Sequence, residues 1–162
     1  KYTAYAAKAK SEGNAQIAVL FTAASKAEGI HANNHKAVLE KLGAAVEPVK
    51  PDFSVKTTAE NLTDAINGET EEFTKMYPGF ISTAKDENIM EAVRSFSWAM
   101  DTEKKHGEFY RTALAALNSK KQDTLSKTYY VCPKCGNTFN DAKPPAKCPF
   151  CYTAEAKYIK VF

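Results

Sequence analysis

Sliding the chain against itself by 75 residues, without a gap, superposes two copies of one pattern, and this duplication constrains the fold more than any other feature. Tyr2 falls on Tyr77, Ala9 on Ala84, Lys10 on Lys85, Glu12 on Glu87, Phe21 on Phe96 and Ala24 on Ala99. Glu28 then meets Glu103, His31 meets His106, and Leu39 and Leu42 meet Leu114 and Leu117. These are ten identities over 42 compared positions, where ordinary composition gives roughly a third as many. The period is too long for a solenoid and predicts a helical hairpin duplicated into a pseudo-symmetric bundle.

The punctuation agrees with that reading. Gly43 and the Pro48 to Pro51 segment interrupt the helical pattern, and Thr57-Thr-Ala-Glu60 is a capping-box signature that restarts it. Weaker breaks at Glu12-Gly13-Asn14 and Asp86-Glu87-Asn88 divide each hairpin in two. The expected fold is a four-helix bundle with a long crossover between the second and third helices. Of the 162 residues, 44% are hydrophobic and 25% charged, enough to build a core and to exclude general disorder. The net charge of 22 − 19 = +3 is spread as Lys alternating with Glu and Asp, so no basic stripe points to nucleic acid. No unbroken apolar run reaches the roughly 18 residues of a membrane span. Lys1-Tyr-Thr-Ala-Tyr5 lacks an initiator Met and a secretory signal, which predicts processing or further residues upstream.

Both copies of the repeat carry Glu-x-x-His, as Glu28-Gly-Ile-His31 and Glu103-Lys-Lys-His106. That spacing puts carboxylate and imidazole on one helix face, where the pair can hold a metal. Gly68-Glu-Thr-Glu-Glu72 adds Glu69 and Glu72, again three apart, with Glu71 pointing elsewhere. Together they match the plan of bundles that hold two iron or manganese ions by inward-facing Glu and His, and the oxygen and imidazole set suits iron that cycles between Fe(II) and Fe(III). Glu28, Glu69, Glu72 and Glu103 balance the charge of two divalent ions, whereas four buried carboxylates without metal would be costly. The repeat places counterparts of Glu69 and Glu72 before Lys1, so the N-terminal half of helix one, with one ligating Glu, is expected upstream of this chain. His35 has no partner Glu and Tyr110 as its counterpart, and is read as a structural or surface residue. Tyr2 and Tyr77 serve either core packing or a hydrogen bond to a ligand carboxylate; Phe96, Trp98 and Met100 are assigned to the core.

All four cysteines lie in Cys132-Pro-Lys-Cys135 and Cys148-Pro-Phe-Cys151. Two tight knuckles bringing four thiolates together select zinc or iron, and spacing alone does not separate a structural zinc ribbon from a one-iron redox centre. Disulfides are the poorer alternative, since the two-residue spacing and the missing secretory signal fit a reducing cytosol. The organisation read from composition is a bundle over 1–118, a polar linker over 119–128 and a small module of short strands over 129–162.

From Tyr2-Thr-Ala-Tyr-Ala-Ala-Lys-Ala-Lys-Ser-Glu-Gly13 through the two Glu-x-x-His pairs and Gly68-Glu-Thr-Glu-Glu-Phe-Thr-Lys-Met-Tyr-Pro78 to the paired cysteines, the whole chain resembles the rubrerythrin family. The resemblance implies a mainly α protein: a ferritin-like di-iron four-helix bundle joined to a small C-terminal β rubredoxin-like domain with one iron held by Cys132, Cys135, Cys148 and Cys151. It implies a cytoplasmic peroxidase that reduces hydrogen peroxide to water, protects against oxidative stress and takes electrons from a reductase or rubredoxin through the four-cysteine iron. By motif, Glu28 and Glu103 resemble bridging carboxylates, Glu69 and His106 ligands of one iron, and His31 and Glu72 alternating ligands of the other. Catalysis would rest on Glu28, His31, Glu72 and Glu103, with Tyr2 and Tyr77 behind the ligands. The family's first-helix Glu has no match in the chain. A ferroxidase or iron-handling protein, and a non-enzymatic scaffold with a zinc ribbon, are the competing functions. A linker of about ten residues leaving the end of a long last helix predicts that the four-cysteine centre is distant from its own di-iron site. The resemblance correspondingly implies a head-to-tail homodimer in which each module serves the partner's bundle.

Overall fold

The computed structural model describes residues 1–47, 49–140 and 143–162; Pro48, part of the predicted break, lies outside them. The helices are α1 (Tyr2–Ser11), α2 (Ala15–Lys41), α3 (Thr58–Glu71), α4 (Tyr77–Asp86) and α5 (Met90–Asn118). A π-helical turn over Glu72–Met76 joins α3 to α4 without a break, so five helices make four rods. Pro78 explains the wide turn: a proline inside a helical run has no N–H for the carbonyl four residues back and its ring crowds that carbonyl, which a π turn relieves.

The duplication is visible in the backbone. Gly13 turns the chain between α1 and α2 at φ +79, and its counterpart Asn88 adopts φ 58 between α4 and α5, a conformation that Asn tolerates better than most residues. The same hydrogen bond closes both turns, Asn14 N to Ala9 O at 2.9 Å and Ile89 N to Ala84 O at 2.8 Å. The predicted capping box is formed: Glu60 N donates to Thr57 Oγ1 at 3.3 Å, and Thr57 N donates to Glu60 Oε2 at 3.1 Å. Glu12, at the end of α1, holds the same helix start by accepting from Thr58 N at 2.8 Å. Fully buried Ala23, Ala24, Ala27, Ala65, Ala99 and Ala113 let the rods approach closely, and aromatic rings fill the layers beside them.

The module is an antiparallel sheet in the order β2-β1-β3, formed by β1 (Tyr129–Val131), β2 (Thr138–Phe139) and β3 (Ile159–Val161), with Val131 opposite both Thr138 and Ile159. Its two cysteine knuckles repeat each other. Gly136 N donates to Cys132 O at 3.0 Å and Tyr152 N to Cys148 O at 2.9 Å, while Gly136 and Tyr152 share positive φ, +79 and 60.

The expectation that the module stands away from its own bundle is wrong. After α5 the chain reverses at Lys120 (φ 55), and Gln122 Nε2 reaches back to Asn14 Oδ1 at 3.2 Å. Leu125 packs against the bundle core, and Tyr129, Val131 and Val161 belong to the same apolar cluster as Ile17, Leu20 and Phe21. The sheet therefore lies against the flank of α2 and α5 rather than beyond their ends. The estimate from linker length neglected the apolar face of β1 and β3, which is buried only by folding back. Polar contacts complete the docking: Asn34 Nδ2 donates to Lys134 O at 2.9 Å, and Lys105 Nζ to Asn137 Oδ1 at 2.7 Å. Trp98, assigned to the bundle core, instead packs against the cysteine cluster.

Candidate metal centres

Helical spacing brings Glu28 and His31 together on α2, and Glu103 and His106 together on α5, while α3 supplies Glu69. Glu69, Glu103 and His106 are fully buried, and His31 nearly so. One oxygen each of Glu28, Glu69 and Glu103 and one nitrogen of His106 lie within 4.8 Å of one another. The two repeat-related carboxylates are shared between the two imidazoles. Glu103 Oε1 lies 2.9 Å from His31 Nδ1, and its Oε2 lies 3.1 Å from His106 Nδ1. Glu28 places Oε2 3.5 Å from His31 Nδ1 and Oε1 3.9 Å from His106 Nδ1. Glu69 Oε1 completes the second group at 3.9 Å from His106 Nδ1.

These atoms are close without bonding one another. Glu28 Oε1, both oxygens of Glu103, Glu69 Oε2, His106 Nδ1 and both nitrogens of His31 are buried with no hydrogen-bond partner among the described residues. Buried polar groups normally find partners, and so many orphans around one point are what a cation-binding set requires. The donors suit two metal ions bridged by carboxylates.

Electrostatics carries the same message. Burial raises the Glu69 carboxyl well above its ordinary range, and the Glu103 and Glu28 carboxylates push it further. Burial opposes charge on His31 and on Glu103, yet their mutual proximity wins: His31 rises to about 10 and Glu103 falls to about 2. A protonated His31 thus supplies positive charge where a metal ion would supply more. Burial, then Glu28 and Glu103, raise Glu72 to about 7.

Glu72 is half-buried at the start of the π turn and stands outside the four-residue group; with Lys1, Tyr2, Ser25 and Glu28 it lines an opening of about 210 Å³. Glu72 continues α3 in helical conformation (φ -60, ψ -52), its N–H bonded to Gly68 O, and so places the second Glu of the predicted pair at the mouth of the site. Tyr2 Oη donates to Glu69 Oε1 at 2.5 Å. Among the described residues Tyr77 bonds no carboxylate; its hydroxyl is 3.4 Å from His35 Nε2, and His35 Nδ1 is 2.8 Å from Ser95 Oγ. His35 is a structural residue, with burial and the nearby His31 charge lowering it to about 4.

Four cysteine sulfurs form the second cluster, with Cys132 Sγ to Cys151 Sγ at 3.4 Å and Cys135 Sγ to Cys148 Sγ at 3.5 Å. A disulfide needs about 2.05 Å, so all four are free thiols, arranged as a four-thiolate metal site requires. Hydrogen bonding from Cys135 pulls Cys132 down to about 4 against the effect of burial, helped by backbone N–H groups of Lys134 and Cys135.

The docked module touches both imidazoles through residues that the spacing of motifs did not single out. His106 Nε2 is 2.9 Å from Thr138 Oγ1, and Thr138 Oγ1 donates to Gly136 O at 3.1 Å. The hydroxyl must then accept from His106 Nε2–H, which leaves Nδ1 unprotonated toward the carboxylates. Gly136 packs on the other imidazole: a Cβ there would lie 2.2 Å from His31 Nε2. Nothing local in Gly136-Asn-Thr138 announces contact with residues about 30 and 105 positions earlier in the chain.

Comparison with known proteins agrees over the full length. The rubrerythrin family profile matches residues 1–114. Rubrerythrin-2 of Clostridium acetobutylicum is 33% identical over 159 residues, covering 98% of this chain and 85% of that protein. Nigerythrin of Nitratidesulfovibrio vulgaris is 34% identical over 153 residues, covering 94% of this chain and 73% of that one. A solved structure of nigerythrin in its fully reduced, all-ferrous state superposes with a TM-score of 0.87 at 31% identity, over 99% of this chain and 77% of that chain. A duplicated Glu-x-x-His bundle suited to di-iron, a four-cysteine module suited to one iron, and relatives matching both regions have one common explanation: the chain belongs to the rubrerythrin family.

Proposed function

We propose that the protein is a non-haem di-iron peroxidase that reduces hydrogen peroxide to water, with electrons entering through its four-cysteine module. The observation that carries this reading is the sharing of Glu28 and Glu103 between His31 and His106, each carboxylate turning one oxygen to each imidazole. Such a set would hold two metal ions, with Glu69 and His106 as donors to one and His31 to the other, and Glu72 available at the mouth. Paired ferrous ions supply both electrons that cleavage of one peroxide bond consumes. Around them the protein's groups have separate tasks. Tyr2 anchors Glu69, Thr138 holds the His106 tautomer, and Gly136 keeps the module in contact with His31. Glu72 lines the opening with Glu28 and, raised to about 7 by burial and the neighbouring carboxylates, is suited to deliver the proton that a departing hydroxide needs.

The test is anaerobic stopped-flow mixing of the fully reduced, iron-loaded chain with hydrogen peroxide. The expected result is consumption of peroxide with reoxidation of the four-cysteine chromophore, and turnover when a reductant is supplied. Oxidation of added Fe(II) without peroxide turnover would instead favour the iron-handling reading.

A further inference from the structure

The two cysteine knuckles repeat each other, and one position of that repeat is used in two ways. Asn137 and Thr153 each follow the residue of positive φ. Each offers its carbonyl to the first cysteine of its own knuckle, Cys132 N donating to Asn137 O at 2.9 Å and Cys148 N to Thr153 O at 2.8 Å. Both side chains also reach sulfur: Asn137 Nδ2 donates to Cys148 Sγ at 3.6 Å, and Thr153 Oγ1 lies 3.2 Å from Cys151 Sγ. The difference lies behind them. Asn137 is fully buried, and its Oδ1 accepts from Lys105 Nζ of α5 at 2.7 Å, whereas among the described residues nothing ties the Thr153 side chain to the bundle.

Lys105 is held tightly in that position. Its ammonium lies 4.8 Å from the ring centroid of Phe139 and 5.2 Å from that of Phe150, a residue of the second knuckle. Two rings of the module thus take the place of water around the charge, which is screened less as a result. A lysine only donates, so its bond fixes the Asn137 amide with oxygen toward α5 and nitrogen toward sulfur.

We propose that Lys105, acting through Asn137, is a positioning residue that raises the reduction potential of the iron held by the four cysteines, and does so only while the module is docked on the bundle. Reduction transfers one electron from an external one-electron reductant, so the centre gains one negative charge. A donor aimed at Cys148 Sγ with a cation behind it favours the more negative form, which is the reduced one. The cation comes from a residue next in sequence to His106 and two beyond Glu103. The potential is therefore raised where the bundle can take the electron onward, and it falls when the module loosens. This inference uses the peroxidase reading only to say what the electron is for.

The experiment is an anaerobic redox titration of the iron-loaded full chain against a dye of known potential, followed by the thiolate-to-iron absorption band, with no peroxide present. Lys105→Met keeps the stem against the rings and removes the charge. It should lower the ratio of reduced to oxidised four-cysteine iron about tenfold at a fixed dye potential, a shift of about 59 mV for one electron. Lys105→Arg should recover most of that loss. Asn137→Ala should lower the ratio about threefold or more, as expected for one lost hydrogen bond. In the Asn137→Ala background Lys105→Met should have less than half its effect on the potential, because the amide that transmits it is gone. Thr153→Val should lower the ratio by the same factor with or without Lys105. A purely structural Lys105 would change stability or iron content and leave the potential in place. An unmoved potential in iron-retaining Lys105→Met, or an undiminished Lys105 effect without Asn137, overturns the proposal and leaves the peroxidase reading standing. The expected shifts in a chain that consumes no peroxide would overturn that reading and uphold this one.

Discussion

The two halves of the bundle carry the same Glu-x-x-His motif and meet different surroundings. Glu103 is completely buried, whereas the Glu28 side chain is 34% exposed beside the opening. His106 holds a hydrogen bond from its outer nitrogen to Thr138, whereas the outer nitrogen of His31 faces Gly136 and has no such partner among the described residues. Duplication thus produces symmetric donors, and docking of the module makes them unequal. One imidazole is held by a hydrogen bond on its outer nitrogen, and the other is packed there against a glycine backbone. That is a physical basis for two metals with different coordination in a site of near-twofold origin.

Replacement of the buried carboxylate breaks the comparison most severely. Glu103→Ala removes the group shared by both imidazoles, and metal analysis should show near-complete loss of bundle iron with the four-cysteine iron retained. Glu28→Ala should lose less, because water can reach that position; equal loss in both would deny the asymmetry.

Same-chain docking makes the second prediction. Cys135→Ser and Glu103→Ala subunits, mixed under conditions of demonstrated exchange, should recover no peroxidase activity, since each intact centre lies in a chain whose own partner centre is damaged. Recovery would mean that a module serves a neighbouring chain's bundle.

Gly136→Ala should loosen the module on the His31 side. A methyl group 2.2 Å from Nε2 cannot be accommodated in place, and overpacking typically costs about 1–3 kcal/mol, with about 1 kcal/mol more for a left-handed φ in a residue other than glycine. The measurement is chemical denaturation together with the four-cysteine reoxidation rate, which should fall while the bundle retains its iron.

Thr138→Val addresses the other half with a smaller effect. It keeps the shape and removes the acceptor, leaving His106 Nε2–H buried and unpaired at about 1–2 kcal/mol. The spectrum of the bundle centre should shift without loss of metal; an unchanged spectrum and unchanged stability would show that the hydroxyl does not hold the ring.

The smallest effect separates His35 from its counterpart Tyr110. His35 is lowered to about 4 when folded, against about 6.5 in an unfolded chain. The unfolded state therefore binds the extra proton first, and stability falls as pH drops from about 6.5 to about 4. Discounted for partial solvent contact, the loss should be about 1 kcal/mol, read from denaturation midpoints at a series of pH values, and His35→Phe should flatten the profile across that window.

Much of the site was readable before folding because its motifs are local or periodic. Three residues between Glu and His suffice to align them on a helix, and two residues between cysteines suffice to form a knuckle, so Glu28, His31, Glu69, Glu103, His106 and the four cysteines are each identified by spacing. The duplication added pairing between halves, down to Gly13 and Asn88 sharing one turn. Glu72 was identified as a residue, but its place at the opening rather than within the buried group depends on which rods enclose that end of α3.

What sequence alone determined is therefore the donor set and the bundle that presents it: hydrophobic period, caps and motif spacing are short-range properties that each segment carries with it. Tertiary structure decided where the module goes and what it touches. Contacts of Thr138 with His106 and of Gly136 with His31 depend on burying the apolar face of a small sheet against α2 and α5, a free energy summed over many residues and written in no single motif.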